Sequence, residues 1–177
     1  ADIVVVTKCP QRMSPIDFRV VEQELGLMPF QKLFFSTMQY SDLQPLFGNE
    51  RAVLPLKNLR SYDNIMLLTG IAQPEQMRHD LMRYCQRVTP LRFTDHHAFS
   101  AADADTINRS FRHLPADEKI IITTAKDAVR LRTIEGLLSD TVRNALYVLP
   151  VHVKFIRDEE RTFRRIIMDS IKKKIKP

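Results

Sequence analysis

The segment Asp95-His96-His97 is the strongest candidate for acid–base chemistry in this sequence. It follows a short extended stretch at residues 88–93 and is predicted to lie in a loop. A carboxylate beside an imidazole can fix the orientation of the ring or take part in metal binding. A metal site would need further ligands, and the other histidines lie on elements that show no obvious convergence. A purely structural role for Asp95, at the end of a strand or in a local turn, also remains open.

A second polar segment, residues 123–127, lies between a predicted buried strand and a predicted short helix. Backbone amides and the positive end of a helix favour an anion in this position, and Lys126 adds positive charge. We therefore predict that Thr124, Lys126 and Asp127 contact a substrate or another anion. Ordinary helix capping by Thr124 is the alternative that the sequence leaves open.

Two further strand ends carry candidate residues for contact with a nucleotide. Thr7 and Lys8 follow the first apolar run, and Thr69 and Gly70 follow a later one. In some phosphate-loop NTPases a lysine at such a strand end lays its stem along the nucleotide base. The alternatives are a lysine that points to water and a glycine that serves only a turn.

These candidates depend on apolar runs that alternate with helical segments along the chain. The runs lie at residues 3–6, 33–35, 65–68, 88–93, 120–122 and 147–155. This alternation predicts an α/β fold with a mostly parallel sheet and helices on both faces. Ligands bind beyond the carboxyl ends of the strands in such sheets, where the candidate residues lie.

Capping residues and turn residues predict where several of these elements begin and end. Ser14 is predicted to cap the first helix, and Ser100 to cap a later one with Asp103 at the capping-box position. Residues 40–49 are predicted to form a loop. Asp158 is predicted to cap a terminal helix that runs almost to the end of the chain.

Composition excludes several classes of protein. The 177 residues, predicted to form a single α/β domain (1–177), carry 27 Lys and Arg against 21 Asp and Glu. Most of this charge is scattered along helical stretches, so we expect no nucleic-acid partner, although a non-catalytic nucleotide- or nucleic-acid-binding module is the alternative function. Cys9 and Cys85 stand alone, which indicates an intracellular, reducing compartment. No apolar run approaches the ~18 residues of a membrane span.

Signatures of nucleotide binding are missing as well. The four glycines are isolated, so the sequence contains neither GxxxxGK[ST] nor GxGxxG. Phosphoryl transfer needs a phosphate cradle, and this sequence has no recognisable one. The chain enters an apolar strand at Ile3 with no preceding cap, turn or helix, which predicts that upstream sequence is missing.

Five segments, taken in order, resemble the downstream motifs of tetraacyldisaccharide 4'-kinase, the ATP-dependent lipid A kinase of Gram-negative bacteria. They are ADIVVVTKCP (1–10), FFS (34–36), LTGIAQP (68–74), FTDHHAF (93–99) and TTAKDAVRL (123–131). No single motif is decisive, but the order and spacing of the five are specific. The FFS segment and the YSD that follows it suggest the Bacteroidetes-like branch.

The resemblance implies the downstream part of a phosphate-loop NTPase-like kinase. That kinase moves the γ-phosphate of ATP to the 4'-hydroxyl of a lipid A disaccharide precursor at the cytoplasmic face of the inner membrane. The phosphate loop, the Mg²⁺-binding acids and the catalytic aspartate would then lie upstream, and this soluble fragment would be inactive alone.

Among the residues present, the resemblance matches the family's functional histidine to His96, with Asp95 beside it. It matches Thr7 and Lys8 to the strand end near the nucleotide. Ala125 stands where the family usually has a glutamate, which puts a role for an acid at that position in doubt.

The terminal helix is predicted to be mainly structural and to contribute weakly to an anionic membrane surface. Its apolar residues at 163, 166, 167 and 171 share one face, which predicts packing against the core. The basic residues largely outside that face are Arg164, Arg165, Lys172, Lys173, Lys174 and Lys176. Such cations can attract anionic lipid, or they can simply complement the helix dipole.

Overall fold

The structure is a computed structural model that describes residues 1–48 and 52–175, and the side chains up to residue 172. The chain divides into two compact units. One is formed by Ala1–Gln39 with Val151–Pro177, and the other by Tyr40–Pro150. Within the described residues, no helix has both the length and the apolar character needed to cross a bilayer.

Eight strands and six α-helices are described, together with three short 3₁₀ segments. The strands are β1 (Ile3–Val6), β2 (Lys32–Tyr40), β3 (Gln44–Pro45), β4 (Asn64–Thr69), β5 (Val88–Arg92), β6 (Lys119–Thr124), β7 (Leu146–Leu149) and β8 (Val151–Phe155). The helices are α1 (Pro15–Leu25), α2 (Glu75–Leu81), α3 (Ala101–His113), α4 (Ala125–Leu131), α5 (Asp140–Ala145) and α6 (Glu160–Ile175). The 3₁₀ segments are Leu56–Ser61, Arg132–Leu137 and Ile156–Asp158.

The first unit contains a three-stranded sheet in the order β1-β2-β8, with β1 parallel to β2. Helix α1 begins as predicted: the Ser14 hydroxyl accepts from the Asp17 amide, and the Asp17 carboxylate accepts from the Ser14 amide. Phe18 is the buried residue of α1, and its ring packs edge-to-face on Phe35 at 4.8 Å between centroids. This aromatic pair fixes α1 against β2.

The prediction that Asp158 caps the terminal helix was wrong. Helix α6 begins at Glu160, and the preceding residues Arg157 and Asp158 have positive φ angles of 62° and 54°. The Arg157 side chain packs on α1 at this turn, because its guanidinium lies 3.7 Å from the centroid of the Phe18 ring. The chain therefore turns at these two residues before the helix starts.

The second unit contains a five-stranded sheet in the order β3-β7-β6-β4-β5. Strand β4 is parallel to both β5 and β6, and β6 is parallel to β7. Every residue of β4 is buried. Its apolar run predicted such a strand, since strands buried on both faces do not alternate with polar residues.

The predicted α/β class is confirmed, but the prediction of one mostly parallel sheet is not, because the sheets are mixed. Two sheets are present, and β3 runs antiparallel to β7. Strand β3 lies inside the segment 40–49 that was predicted to be a loop, of which residue 49 lies outside the described part. With two residues, one of them Pro45, β3 offers no apolar alternation to detect.

The main apolar core of the second unit lies on one face of its sheet. Met66, Leu68 and Ile121 from the sheet pack there with Ile107 and Phe111 of α3. The alternate residues of β4 and β6 are equally buried, so the other face is covered too. This double burial holds the carboxyl ends of β4 and β6 firmly in place.

Candidate functional site

The carboxyl ends of β5, β4 and β6 form one edge of the second unit, because these parallel strands are neighbours. Gly70 follows β4, the loop 94–97 follows β5, and Lys126 and Asp127 follow β6. Candidate residues from three separate stretches of sequence therefore lie together. Thr7 and Lys8 belong to the other unit.

Asp127 holds two of these strand ends together. Its side chain is 0% exposed, and its Oδ2 accepts hydrogen bonds from the Gly70 amide at 2.9 Å and the Thr124 hydroxyl at 2.8 Å. The Thr124 hydroxyl in turn accepts from the Asp127 amide at 3.1 Å, which caps α4. The carboxylate thus fastens the end of β4 to the start of the helix that follows β6.

The chain needs a glycine beside this carboxylate. A Cβ atom on Gly70 would lie 3.1 Å from Asp127 Oδ1 and 3.1 Å from the Thr94 carbonyl oxygen. Both distances are shorter than nearly all Cβ contacts in proteins, and one neighbour is backbone. Thr69, directly before, is 1% exposed, and its carbonyl accepts from the Phe93 amide at 2.8 Å.

His96 lies at the surface in an uncommon backbone conformation. Its φ angle is 61°, and its side chain is 72% exposed. The left-handed region costs a residue with a Cβ atom on the order of 1 kcal/mol. The Asp95 carboxylate supports this turn, because its Oδ1 accepts from the His96 amide at 2.9 Å.

Both ring nitrogens of His96 face cationic side chains of α4. Nε2 lies 3.3 Å from Lys126 Nζ, and Nδ1 lies 3.2 Å from Arg130 Nη2. Nε2 is also 3.7 Å from Asp95 Oδ2. The imidazole is therefore held at its two ends by charges that the helix supplies.

Asp95 is an ionised partner of Lys126. Lys126 Nζ donates to Asp95 Oδ1 at 2.9 Å. This hydrogen bond is the main reason that the pKa of Asp95 is lowered, and the positive charge of Lys126 and the hydrogen bond from the His96 amide add to the effect. The Asp95 carboxylate accepts from both the His96 amide and Lys126 Nζ. Asp95 therefore orients the loop and positions Lys126.

His97 occupies a different environment from His96. Its side chain is 26% exposed, and its ring lies 4.9 Å from the ring of Phe93 and 5.2 Å from that of Phe99. Its Nε2 lies 3.0 Å from Asp103 Oδ2, inside the capping box of α3. His97 therefore packs the loop onto the domain, whereas His96 faces solvent.

Asp103 carries a strongly perturbed carboxylate. The Ser100 hydroxyl donates to it at 2.7 Å, and this bond is the main reason that the pKa of Asp103 falls to about 2. The contact with His97 and the Ser100 amide add to the effect. The capping box predicted from sequence is confirmed, and it also fixes the loop that carries His96.

Arg130 contacts two residues of the candidate site, Asp127 and His96, and sequence reasoning did not single it out. Its side chain is 24% exposed, and its Nη1 lies 3.6 Å from the buried Asp127 Oδ1. The available signal was its spacing, because residues four apart on a helix share a face and Lys126 lies four positions earlier. The contact with His96 joins residues 34 positions apart, so the local sequence around Arg130 does not indicate it.

The nucleotide candidates of the first unit lie at the end of β1. Thr7 and Lys8 are exposed, and Lys8 has a φ angle of 58°. The next residue anchors them, since the Cys9 amide donates to the Ser36 carbonyl at 2.9 Å and the Thr37 hydroxyl donates to the Cys9 carbonyl at 2.7 Å. The strand end is thus rigid while its two polar side chains face solvent.

Among residues 1–48 and 52–175, no group of three or more His, Cys, Asp or Glu side chains is arranged to hold a metal ion. Asp95 and Asp127 already have Lys126 and Arg130 as cationic partners.

Comparison with known proteins gives a consistent result. The sequence profile of a family described as tetraacyldisaccharide-1-P 4'-kinase matches residues 1–172. A tetraacyldisaccharide 4'-kinase from Phocaeicola vulgatus is 40% identical over 173 residues, which are 98% of this chain and 47% of the relative. Another from Parabacteroides distasonis is 39% identical over 176 residues, which are 99% and 47%. The chain spans about half the length of these curated relatives.

A solved structure, the "apo" form of LpxK from Aquifex aeolicus in complex with ATP, matches with a TM-score of 0.48. Its sequence identity is 18%, over 94% of this chain and 51% of that chain. The curated relatives come mostly from Bacteroidetes, which confirms the branch expected from the sequence. The profile match covers nearly the whole chain and confirms the resemblance read from the five segments. The chain belongs to the tetraacyldisaccharide-1-P 4'-kinase family.

Proposed function

We propose that the enzyme containing this chain transfers the γ-phosphate of ATP to the 4'-hydroxyl of a lipid A disaccharide precursor. The family match over residues 1–172 and the names of the relatives support this reaction. Because the chain spans about half the length of those relatives, the proposal concerns the whole enzyme. This chain would contribute one side of its active site.

The observation that carries the proposal is the setting of His96. Its ring is exposed, its backbone is held in the left-handed region, and both ring nitrogens face cationic groups. A histidine fixed in this way can hold or steer a proton at a reacting group. We propose that it orients the catalytic aspartate that the family supplies from outside this chain, and that this aspartate accepts the proton of the sugar hydroxyl.

The residues around His96 divide into contact and positioning roles. Lys126, which is 42% exposed on its side chain, is the group that can meet an anionic part of the substrate. Thr124 and Asp127 are buried and bonded to each other, so they act by holding Gly70 and the start of α4 in place. Asp95 keeps Lys126 beside the ring.

Nucleotide contact is proposed for two strand ends. Thr7 and Lys8 are exposed and rest on a rigid strand end, which suits contact with ATP. At the second strand end, Gly70 has no side chain, so a ligand can approach its backbone closely. Thr69 is buried directly before it and holds the strand end in place. When bound, Mg²⁺ neutralises charge on the transferring phosphate. The residues described here form no cluster that fits it, so its ligands are assigned to the part of the enzyme outside this chain.

Location and partners follow from the substrate. A lipid A precursor sits in a membrane, so we propose that the enzyme works at the cytoplasmic face of the inner membrane and contacts its anionic surface. No nucleic-acid partner is proposed. Binding to DNA or RNA with a steep salt dependence would contradict that part of the proposal.

The test is an assay of phosphate transfer from labelled ATP to a tetraacyldisaccharide 1-phosphate. The full-length enzyme should give a product phosphorylated at the 4'-position, and this chain alone should give none above an empty-vector control. An absence of transfer by the folded full-length enzyme would contradict the proposed reaction. Turnover by this chain alone would show that the missing phosphate cradle is not needed.

A further inference from the structure

Arg130 connects the buried interior of the second unit to the exposed ring of His96. One guanidinium nitrogen, Nη1, lies 3.6 Å from Asp127 Oδ1, and the other, Nη2, lies 3.2 Å from His96 Nδ1. The planar guanidinium fixes the geometry between these two nitrogens, so its hold on Asp127 also sets where Nη2 points.

Asp127 is a rigid anchor for this connection. Its Oδ2 accepts two hydrogen bonds, from the Gly70 amide and the Thr124 hydroxyl, and its side chain is 0% exposed. Its Oδ1 has no hydrogen-bond partner among the described residues, and neither does Arg130 Nη1. These two buried atoms therefore depend on each other for charge compensation, because an uncompensated buried charge is costly.

The contacts of the His96 ring decide which nitrogen carries its hydrogen. Arginine and lysine only donate hydrogen bonds, and a neutral imidazole has one acceptor nitrogen. Nδ1 faces Arg130 at 3.2 Å and Nε2 faces Lys126 at 3.3 Å, so the ring can accept from only one of them. Lys126 already has an acceptor, Asp95 Oδ1, at 2.9 Å. Among the described residues, no acceptor lies closer to Arg130 Nη2 than His96 Nδ1.

We propose that Arg130, anchored by Asp127, is a positioning residue that holds His96 in one tautomer. Its guanidinium donates to Nδ1, so the hydrogen of the neutral ring resides on Nε2. Nε2–H is then the donor that meets the carboxylate from outside this chain. The inference rests on the role proposed for His96, and it adds the residue that makes that role possible.

A double-mutant cycle in the full-length enzyme tests the connection. The variants are Arg130→Ala, His96→Ala and the double variant, with Arg132→Ala as a matched control because Arg132 is exposed two positions later. We expect Arg130→Ala to lower kcat roughly 10- to 100-fold, since a misplaced catalytic group costs about that much. The KM for ATP should stay within about twofold of the wild-type value, and Arg132→Ala should behave as wild type.

The decisive comparison is made in the His96→Ala background. If Arg130 acts through His96, adding Arg130→Ala there should cause no further loss of kcat. Losses that multiply would overturn the inference, because they would show that Arg130 acts independently of His96. If His96→Ala alone retains wild-type kcat, the role proposed for His96 fails.

Nitrogen NMR of the histidine ring tests the inference without relying on activity. In wild-type enzyme labelled at histidine, the His96 signals should show a hydrogen on Nε2 and an acceptor at Nδ1. In Arg130→Ala this pattern should change to a mixture of tautomers. An unchanged pattern in the variant, or a hydrogen on Nδ1 in the wild type, would overturn the inference whatever the kinetics show.

Arg130→Lys covers the case in which Arg130→Ala does not fold. Lysine can compensate the charge of Asp127, but its single ammonium cannot form the guanidinium's two-ended contact. We expect near-wild-type thermal stability with lowered kcat and mixed tautomers. Wild-type kcat together with the wild-type tautomer would show that the guanidinium geometry is not needed.

Discussion

The backbone amide of Gly70 donates a 2.9 Å hydrogen bond to Asp127 Oδ2, although 57 positions separate the two residues in the chain. The bond joins the end of β4 to the helix that follows β6. It also brings Gly70 so close to Asp127 Oδ1 that a Cβ atom would lie 3.1 Å from it. The geometry of the site therefore depends on a position without a side chain.

Gly70→Ala should destabilise the protein by about 1–3 kcal/mol, the usual cost of forcing an extra methyl group into a well-packed site. The new Cβ would press on the Thr94 carbonyl and the buried Asp127, neither of which can easily move. Urea unfolding followed by circular dichroism measures the effect. Gly136→Ala is the control, because a Cβ atom added at Gly136 would have no neighbouring atom within 4 Å. Equal midpoints for the two variants would contradict the prediction.

His96→Ala in the full-length enzyme should lower kcat roughly 100-fold, as expected for loss of acid–base assistance. The KM for ATP should change little, because His96 is not expected to hold the phosphates. Thermal stability should also change little, since 72% of the side chain is exposed.

His97→Ala should show the opposite balance, with a lower melting temperature and a smaller loss of kcat. The substitution removes a ring that packs against both Phe93 and Phe99 and contacts Asp103. Steady-state kinetics and thermal melts of both variants check the pair. A crippled His97→Ala enzyme beside a near-wild-type His96→Ala enzyme would reverse the assignment.

Asp103 should make stability depend on pH in the acid range. Its pKa falls from an ordinary value of 3.8 to about 2 in the folded protein, first because of the Ser100 hydroxyl. A carboxyl with a depressed folded pKa contributes stability that is complete above about pH 4 and is lost as the pH falls toward 2. We expect Asp103→Asn to lower the free energy of unfolding by about 1–2 kcal/mol at neutral pH, allowing for partial exposure.

Urea unfolding at several pH values measures this effect. The difference between wild type and Asp103→Asn should shrink steadily between about pH 4 and pH 2. Asp105→Asn, on an exposed position of the same helix, is the matched control and should give a small difference at every pH. A constant difference for Asp103→Asn across the range would contradict the prediction.

The basic residues of α6 should contribute weakly to binding an anionic membrane surface. Arg164, Arg165 and Lys172 are exposed, and the further lysines at 173, 174 and 176 lie outside the described side chains. Each cation near such a surface is worth ~1 kcal/mol, and Arg164 should give less because it pairs with Glu160 at 2.7 Å. Replacing the three exposed residues with glutamine should weaken co-sedimentation with anionic liposomes. Equal binding of the wild type to neutral and anionic liposomes would rule out the contribution.

The sequence was most informative where a structural signal is local. Ser14 and Ser100 each begin a helix with a complete capping box, as predicted, because all partners lie within three residues. The apolar runs at residues 3–6 and 120–122 form strands for the same reason. The division into two units was not predicted, since it depends on which strands pair rather than on their composition.

The candidate site was predictable only in part. Polar residues at strand ends predicted that Gly70, the loop 94–97 and the start of α4 lie at one edge of the sheet, because parallel strands share their carboxyl ends. The burial of Asp127 and its bond to Gly70 could not be read from sequence, as they arise from contacts 57 positions apart. Arg130 was missed for the same reason, because its partner His96 lies 34 positions away.

The two buried cysteines make it possible to measure local unfolding of each unit. Cys9 is 8% exposed in the first unit, and Cys85 is 4% exposed in the second. The Cys85 sulfur also lies within hydrogen-bond distance of two backbone carbonyls, those of Tyr62 at 3.2 Å and Arg87 at 3.3 Å. An alkylating reagent can reach such a thiol only after local unfolding, so its rate of modification reports the stability of the surrounding segment. Mass spectrometry of partly alkylated protein would therefore give the alkylation rates of Cys9 and Cys85 separately, and hence the local stability of each unit, in a single sample.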